Sequence, residues 1–548
     1  MNALDYGRDP LPGDKPWSWV LTVTFAGRVL RWASRDLDLA LDDGTVVEVQ
    51  PGLGAGVAIT DELPIGSNAG IRSAALSVFF PEDFGVAAQI AQGQVLAGSA
   101  AELALVPDGG TWQDRHVVLV GIVSQPTYGD PDELVAFTLR EHAQLTDTML
   151  PPSSWKLPAP GGVVGSFASD PVPADAAREA YPLVFGAPGA YIRPDGTSIT
   201  LGAVPVPAIS MSTGKTPTVS WAFASAGWTT ATSATLHYER AQTLPITTPS
   251  ANVAAKPIII FVDVDLVHVN DTAGVPITVI DISTLASGDY KDAATTTSFW
   301  VGFGAGTGVP LDGVKDPSAG DIAMWLLRRS RQPVDLERSA SAAARLGRFR
   351  YAGFLNDPAA PLDWIDQHVC QILPCLRAST GRGTYLVYVP YRSDEDVPVV
   401  GALVVTTAGE EGDATVIRLD PVDTISDGTT SVIRVEWAYN AHHDHFAEYV
   451  IERLRDADED AAPLTTMQVA YCWDVGTARE IARYQAWLHG APREEITFHV
   501  DSASWCWIRV GDVVSVTDSG LSLDAHRCLV TSIERSDEVW WPMKVLKL

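Results

Sequence analysis

The chain has 548 residues, 46% of them apolar and 19% charged. That is too much length for a single core and too much hydrophobic material for a disordered chain, so three or four domains are expected. Lys and Arg number 38 against 67 Asp and Glu, and the net charge of −29 opposes adsorption to nucleic acid or an anionic membrane. The five cysteines are odd in number and lack C-x-x-C spacing, which argues against a disulfide framework or a zinc site and for thiols in a reducing compartment.

The opening stretch MNALDYGRDPLPGDKPW has no apolar segment of the kind a secretory signal needs. From Trp17 to about residue 150 the chain reads as short strands. WSWVLTVTFAGRVLRW alternates around an Ala26-Gly27 turn, and LDLALDDGTVVEV carries an Asp43-Gly44 hairpin signal between two alternating runs. AALSVFF, a short helix-like EDFGVAAQIAQ and further strands to about residue 141 follow, a spacing that predicts a closed barrel or a sandwich. Residues 150 to about 175 are rich in Pro, Gly and Ser and read as a connection. Residues 200 to 315 form a second β-rich region. Its longest apolar run, PIIIFVDVDLVHV, is interrupted by Asp263 and Asp265 and too short to span a bilayer. A soluble protein assembled in the cytoplasm is expected.

The character changes at Pro317. PSAGDIAMWLLRRS places Ile322, Trp325 and Leu326 on one helical face, and DLERSASAAARLG predicts a second helix. A third is expected over APLDWIDQHVCQILPCL, where Leu362, Ile365, Val369, Ile372 and Leu376 keep three-and-four spacing. STGRGTYLVYVPYR then turns into a strand. SVIRVEWAYNAHHDHFAEYVIERL predicts a long hairpin. A capped helix follows, with Thr477 and Glu480 at capping-box spacing, Ile481, Gln485 and Leu488 on its face and Gly490 as a left-handed stop. EEITFHV, VGDVVSVTD and RCLVTSIER are the closing strands.

Few residues pair up as chemistry requires. Asp512, between Gly511 and Val513, reads as an Asx residue capping the turn that opens a strand, because a lone carboxylate has no partner for proton exchange. In NAHHDH, imidazoles and Asp444 are good zinc or iron ligands, with His443 and His445 the metal candidates. The cluster falls on a hairpin turn, which favours a solvated loop over a metal site at a symmetry axis. Asp263 and Asp265 read as the wet face of a strand. Cys370 and Cys375 read as core packing, and Cys472 has no cysteine-protease context. G-x-S-x-G, H-E-x-x-H and a phosphate-binding glycine loop are absent. Catalytic and cofactor-binding residues are therefore expected to be none, and cofactors none. The Trp pairs 17/19, 505/507 and 540/541 read as packing against self or partner rather than as sugar platforms, with the first two pairs each on one strand face.

Taken in order, several stretches resemble the baseplate hub and tail-tip proteins of tailed bacteriophages. FAGRVLRWASRDLDLALDDGTVVEVQPGLGAGVAITDELPIGSNAGIRSAALSVFFPEDF looks like the first domain of such hubs, and VVLVGIVSQPTYGDPDELVAFTLREHAQLTD like its barrel-closing strands. YPLVFGAPG, the helical stretch from Gly320 to Arg392, TAREIARYQAWLHGAPREEITFHV and WIRVGDVVSVTD are similar to later landmarks. The resemblance spans about two thirds of the chain, with residues about 190 to 315 unmatched. It implies a mainly β, multidomain fold with α+β parts: two tube-like antiparallel β-barrel domains, a β-rich insert and a small mixed α/β domain. The expected divisions are 1–150 for the first barrel, 151–190 for a linker leading into a strand, 191–316 for the insert, 317–400 for the α/β unit and 401–548 for the second barrel. It further implies a structural virion protein, a homotrimer whose ring adapts the sixfold tail tube to a threefold tip and lines the DNA channel. Partners would be the distal tail or tube protein, the tape measure, and fibre or spike proteins. A wall-degrading tail enzyme or a glycan-binding attachment protein is the alternative.

Overall fold

The structure is a computed structural model of the chain. The structure describes residues 17–548 except 42, 64–72, 81–85, 130–133, 142–146, 161, 163, 165–171, 173–177, 212–218, 226–231, 242–256, 272, 282–297, 305–307, 382, 393–394, 406–415, 419–421, 426–431, 442, 455–463 and 537. The first sixteen residues, most of the expected connection after residue 160 and His442 thus lie outside the described residues.

The N-terminal part is a curled, mainly antiparallel sheet. Its strands and flanking elements are β1 (Trp17–Phe25), β2 (Arg28–Ala33), β3 (Leu39–Ala40), β4 (Val46–Val47), β5 (Gln50–Pro51), β6 (Ala58–Glu62), β7 (Ser73–Phe79), helix α1 (Val86–Ala91), β8 (Ala100–Pro107), β9 (His116–Tyr128) and β10 (Leu134–Glu141). The order is β5-β2-β1-β8-β9-β10-β7, with only the short β5 pairing parallel. The Ala26-Gly27 turn joins β1 to β2 with Phe25 opposite Arg28 and both turn residues at positive φ, +50° and +77°, the conformation a two-residue hairpin loop needs. Segment 50–54 brings the two edges of this sheet together. The Gly52 and Leu53 amides donate to the Ala33 carbonyl of β2, while the Gly54 amide donates to Ser77 and the Phe79 amide to Gly52. The Trp32 indole donates to the Phe79 carbonyl across the same closure at 2.6 Å, and its ring meets Phe80 edge-on at 5.1 Å. Bringing the edges together removes the unpaired backbone that an open sheet would expose.

The middle of the chain builds a second sheet from β11 (Leu183–Phe185), β14 (Val204–Met211), β15 (Val219–Ser225), β16 (Thr232–Ala241), β17 (Pro257–Asn270), β18 (Pro276–Asp281), β19 (Ser298–Phe303) and β20 (Gly353–Leu355), beside the hairpin β12 (Ala190–Ile192) and β13 (Ser198–Thr200). Helices α2 (Ala319–Leu327) and α3 (Leu336–Leu346) begin where expected. Ser318 and Asp321 form a capping box at the first, Asp335 accepts from the Arg338 amide at the second, and Ile322, Trp325 and Leu326 are buried. The third helix is shorter than its spacing predicts. Helix α4 (Pro361–Ile365) runs into a π-helical turn over Asp366–Cys370, and Leu376 lies in strand β21 (Cys375–Thr380), paired with β22 (Gly383–Tyr388). Pro374, which cannot donate a helical hydrogen bond, separates the two.

The C-terminal part contains β23 (Val399–Val404), β24 (Val416–Ile417), β25 (Asp423–Ile425), β26 (Val432–Asn440), β27 (His445–Arg453), β28 (Leu464–Gln468), helix α5 (Val475–His489), β29 (Arg493–Asp501), helix α6 (Ser502–Trp505), β30 (Val513–Asp518), β31 (Leu523–Ser536) and β32 (Trp540–Lys547). One sheet runs β23-β30-β31-β32-β29-β24, and β26 to β28 form another. Ile496, Phe498 and Val500 share the buried face of β29. The cap of α5 is Asp474, whose carboxylate accepts from the Thr477 amide at 2.7 Å; Thr477 instead accepts from the Arg350 amide. Gly490 closes the helix at φ −84°, not in a left-handed turn, and is required because a Cβ there would stand 2.2 Å from the Ala486 carbonyl oxygen.

Two large cores result. In one, the sheet containing β11 packs with α2, α4, β26 and α5 through residues such as Phe185, Tyr351, Trp364, Trp437 and Ile481. Tyr471 stacks on Phe185 at 5.9 Å and crowds Gly353, where a Cβ would meet the ring at 2.3 Å. The other core joins the N-terminal sheet to the C-terminal one, from Trp19, Trp32 and Leu103 to Phe498, Val514 and Trp541. The link is a strand exchange within the chain, for β6 pairs antiparallel with β31, placing Asp61 opposite Ile533 and Ile59 opposite Arg535.

Candidate functional sites

The corner at Asp512 is a β-turn. The Asp512 amide donates to the Arg509 carbonyl at 3.2 Å, and Gly511 takes the positive φ, +86°, that its position in the turn needs. The Asp512 carboxylate accepts from the Arg509 amide at 2.9 Å, so it caps the turn as its sequence context predicts. It has a second tie that the sequence does not announce. Arg338, projecting from α3, donates to its other oxygen at 3.1 Å and lies over the Tyr385 ring at 4.4 Å. Burial pushes the Asp512 carboxyl up, and Arg338 and the Arg509 amide oppose that. Both oxygens are committed, which suits a joint rather than a proton carrier.

Two further charge clusters were not legible in the sequence. At the β6–β31 seam, Arg535 donates to Asp61 and, through its other terminal nitrogen, to the Ile508 carbonyl at 2.6 Å. The side chains are 1% and 5% exposed, so this ion pair sits inside the shared core. Beside β22, Tyr388 donates to Glu395 at 2.6 Å, Tyr391 donates to Glu480 at 2.6 Å, and Arg348 bonds Glu395 at 2.8 Å. Desolvation would raise Glu480, but Tyr391, Arg483 and Arg392 outweigh it and hold the carboxyl below its ordinary value. This network ties the segment after α3, the end of β22 and α5 to one another.

His443 and His445 flank the turn between β26 and β27, and both are exposed. Their ring centroids stand 5.9 Å apart, while Asp444, at φ +50°, accepts from the Tyr439 hydroxyl at 2.7 Å. The turn brings the two rings together. Among the described residues no group of three or more His, Cys, Asp or Glu side chains is gathered as a metal cage would require. Asp263 and Asp265 lie in β17 opposite Thr235 and Ser233, and their side chains fall outside the described ones. The five cysteines are free thiols, four buried and Cys370 half-buried. Burial raises Cys472 to about 12, far from a nucleophile's range.

Trp505 and Trp507 stack at 5.7 Å, but not on a strand. Trp505 ends α6, and Asp501 caps that helix by accepting from the Ser504 amide at 2.9 Å, so the spacing of two that predicts one strand face is realised by a helical turn. The indoles crowd Gly401, where a Cβ would meet the Trp505 ring at 3.1 Å. Trp19 and Trp541 are buried and both donate to the Ser536 carbonyl, at 3.1 and 3.0 Å. An open cleft of about 470 Å³ lies between Lys156, Arg178, Asn356 and three prolines. Among the described residues no helix is long and apolar enough to cross a membrane.

Residues 382–533, which hold the Asp512 corner, the histidine turn and most of β31, match a family model described as putative phage tail protein. The chain is similar to phage tail proteins. The resemblance read from the sequence therefore stands on a family match as well. No curated protein matches the chain. Among solved structures, a tail protein from Neisseria meningitidis MC58 is 10% identical, with 96% of each chain covered and a TM-score of 0.38. The 43 kDa tail protein of prophage MuSo2 from Shewanella oneidensis is 9% identical over 96% of each chain, with a TM-score of 0.35. A chain from the virion of a native gene transfer agent particle is 11% identical, covering 68% of this chain and 87% of that one, with a TM-score of 0.32.

Proposed function

We propose that this phage-tail-like chain is a structural virion component at the tail tip or baseplate hub, present as a homotrimer whose barrel-like bodies, two per chain, form a pseudo-sixfold ring around a DNA channel. Residues 1–150 and 401–548 supply those bodies in this reading, with 191–316 as an insert and 317–400 as a bracing α/β unit. The observation that carries it is the addition of β6 to the C-terminal sheet. That pairing fuses two curled sheets into one rigid block through a shared core, as two adjacent segments of a ring require. The net charge of −29 supports a bore through which DNA slides without sticking. The carboxylates with the most elaborate surroundings, Asp512, Glu395 and Glu480, are held by Arg and Tyr partners, which supports a non-enzymatic role. Its partners are then neighbouring tail proteins, in a particle assembled in the host cytoplasm.

Light scattering on the purified chain tests the reading, alone and after mixing with tails that lack it. Trimers or incorporation into tails are expected. A stable monomer that joins no assembly overturns the ring, and release of soluble muropeptides from peptidoglycan overturns the non-enzymatic part.

A further inference from the structure

We propose that His443 and His445 together chelate one divalent first-row transition cation at the tip of the β26–β27 hairpin. The site follows from the geometry of the turn. A metal–nitrogen bond is about 2.0–2.1 Å, so two imidazoles on one tetrahedral ion hold their ring centroids about 5 Å apart. Here they stand 5.9 Å apart and tilted by 54° on exposed side chains, within about 1 Å of that spacing.

The described residues that present them are tied to their neighbours. The last turn residue before β27, Asp444, is tied to the Tyr439 hydroxyl, the His443 amide donates to the Asn440 carbonyl and side-chain oxygens, each at 3.3 Å, and Asn440 pairs with His445 at the end of the ladder. The Tyr439 and Phe446 rings pack at 5.1 Å beneath it. Little order is therefore lost when an ion binds, which is where preorganised sites gain affinity. Asp444 sits between the two histidines and adds a negative charge beside the ion while its carboxylate stays on Tyr439.

The donor set decides the class of ligand. Imidazole nitrogens suit zinc, nickel and copper, whereas magnesium and calcium demand oxygen cages. Two protein ligands leave the other coordination positions to water or to a donor from another molecule, unlike the closed four-ligand sites that hold a fold together.

The test is calorimetric titration of the full chain with NiCl2 and ZnCl2, repeated on His443→Ala, His445→Ala, the double variant and Asp444→Asn, with MgCl2 as the hard-cation comparison. Each histidine variant is expected to weaken binding at least tenfold, in line with what disturbing a metal ligand's surroundings alone costs, while Asp444→Asn stays within threefold. Copper(II) added at one equivalent should show nitrogen hyperfine coupling that disappears in the double variant. Isotherms that coincide for the wild type and the double variant overturn the assignment, as does a wild type that takes up magnesium as readily as nickel. Both side chains being exposed, circular dichroism of the variants should match the parent, which separates loss of the ligand from loss of the fold.

Discussion

The Asp61–Arg535 pair gives the sharpest test of how the two halves hold together. Asp61→Asn removes the charge but keeps the shape, leaving the Arg535 guanidinium inside a core where it is 1% exposed. Breaking a buried pair on one side typically costs about 3–5 kcal/mol, because the remaining charge is neither hydrated nor compensated, and Asn, which still accepts a hydrogen bond, belongs at the lower end, about 3 kcal/mol. Whole-chain melting is a poor readout in a protein with two cores, since unfolding need not be all-or-none. Hydrogen exchange at β6 and at Ser532–Ser536 reads the seam directly. At about 1.36 kcal/mol per decade, a loss of about 3 kcal/mol accelerates exchange there roughly 150-fold, while β16 and β17 in the other sheet keep their protection. Replacing both partners, Asp61→Leu with Arg535→Met, should recover most of that protection, because apolar side chains of similar volume need no compensation. A single variant whose seam exchange changes by less than threefold refutes the argument, and so does a double variant as labile as the single one.

Other consequences follow from the same structure. Burial lowers His368, packed between Trp364 and Tyr471, from 6.5 to about 4, so between those values the unfolded chain binds a proton that the folded chain refuses. Stability contributed by the neutral ring is complete above about pH 6.5 and falls toward pH 4 by up to about 3 kcal/mol, and His368→Phe should flatten that part of the pH profile of hydrogen-exchange protection in α4, corrected for intrinsic exchange. Gly511→Ala meets both a positive φ of +86° and a Val387 methyl 2.5 Å from the new Cβ, and a loss of about 1–3 kcal/mol of hydrogen-exchange protection in β22 and β30 is expected. Cys472, Cys506 and Cys528, each raised to about 12 by burial, should resist iodoacetamide in the native protein and label fully in guanidinium, as peptide mass spectrometry would show.

What could be read from the sequence was whatever depends on neighbours a few residues apart. The Ala26-Gly27 hairpin, the helices over residues 319–327 and 336–346, the alternation of Ile496, Phe498 and Val500 and the Asp512 turn all emerge from local spacing. Local spacing also misled. The stripe from Leu362 to Leu376 keeps helical period across Pro374, yet the chain crosses it through a π-helical turn into a strand. The capping-box spacing of Thr477 and Glu480 fits, but Asp474 lies one turn earlier and supplies the stronger acceptor. Trp505 and Trp507 share a face because a short helix stacks them. The Asp61–Arg535 pair and the Arg338–Asp512 tie join residues separated by 474 and 174 positions, and no periodicity encodes such a meeting. The histidines were visible as a motif, but their approach depends on the left-handed residue between them.

The pairing of β6 with β31 sets a constraint on biosynthesis. A ribosome releases Asp61 long before it makes Arg535, 474 residues later. Until then Ala58–Glu62 has no partner strand from the C-terminal sheet, and the apolar faces that will meet Trp541 and Val514 stay open to solvent or to a chaperone. Maturation of this block thus waits for synthesis of the Leu523–Ser536 strand, and a ribosome stalled upstream of it leaves a polypeptide with an unsatisfied ribbon along one flank.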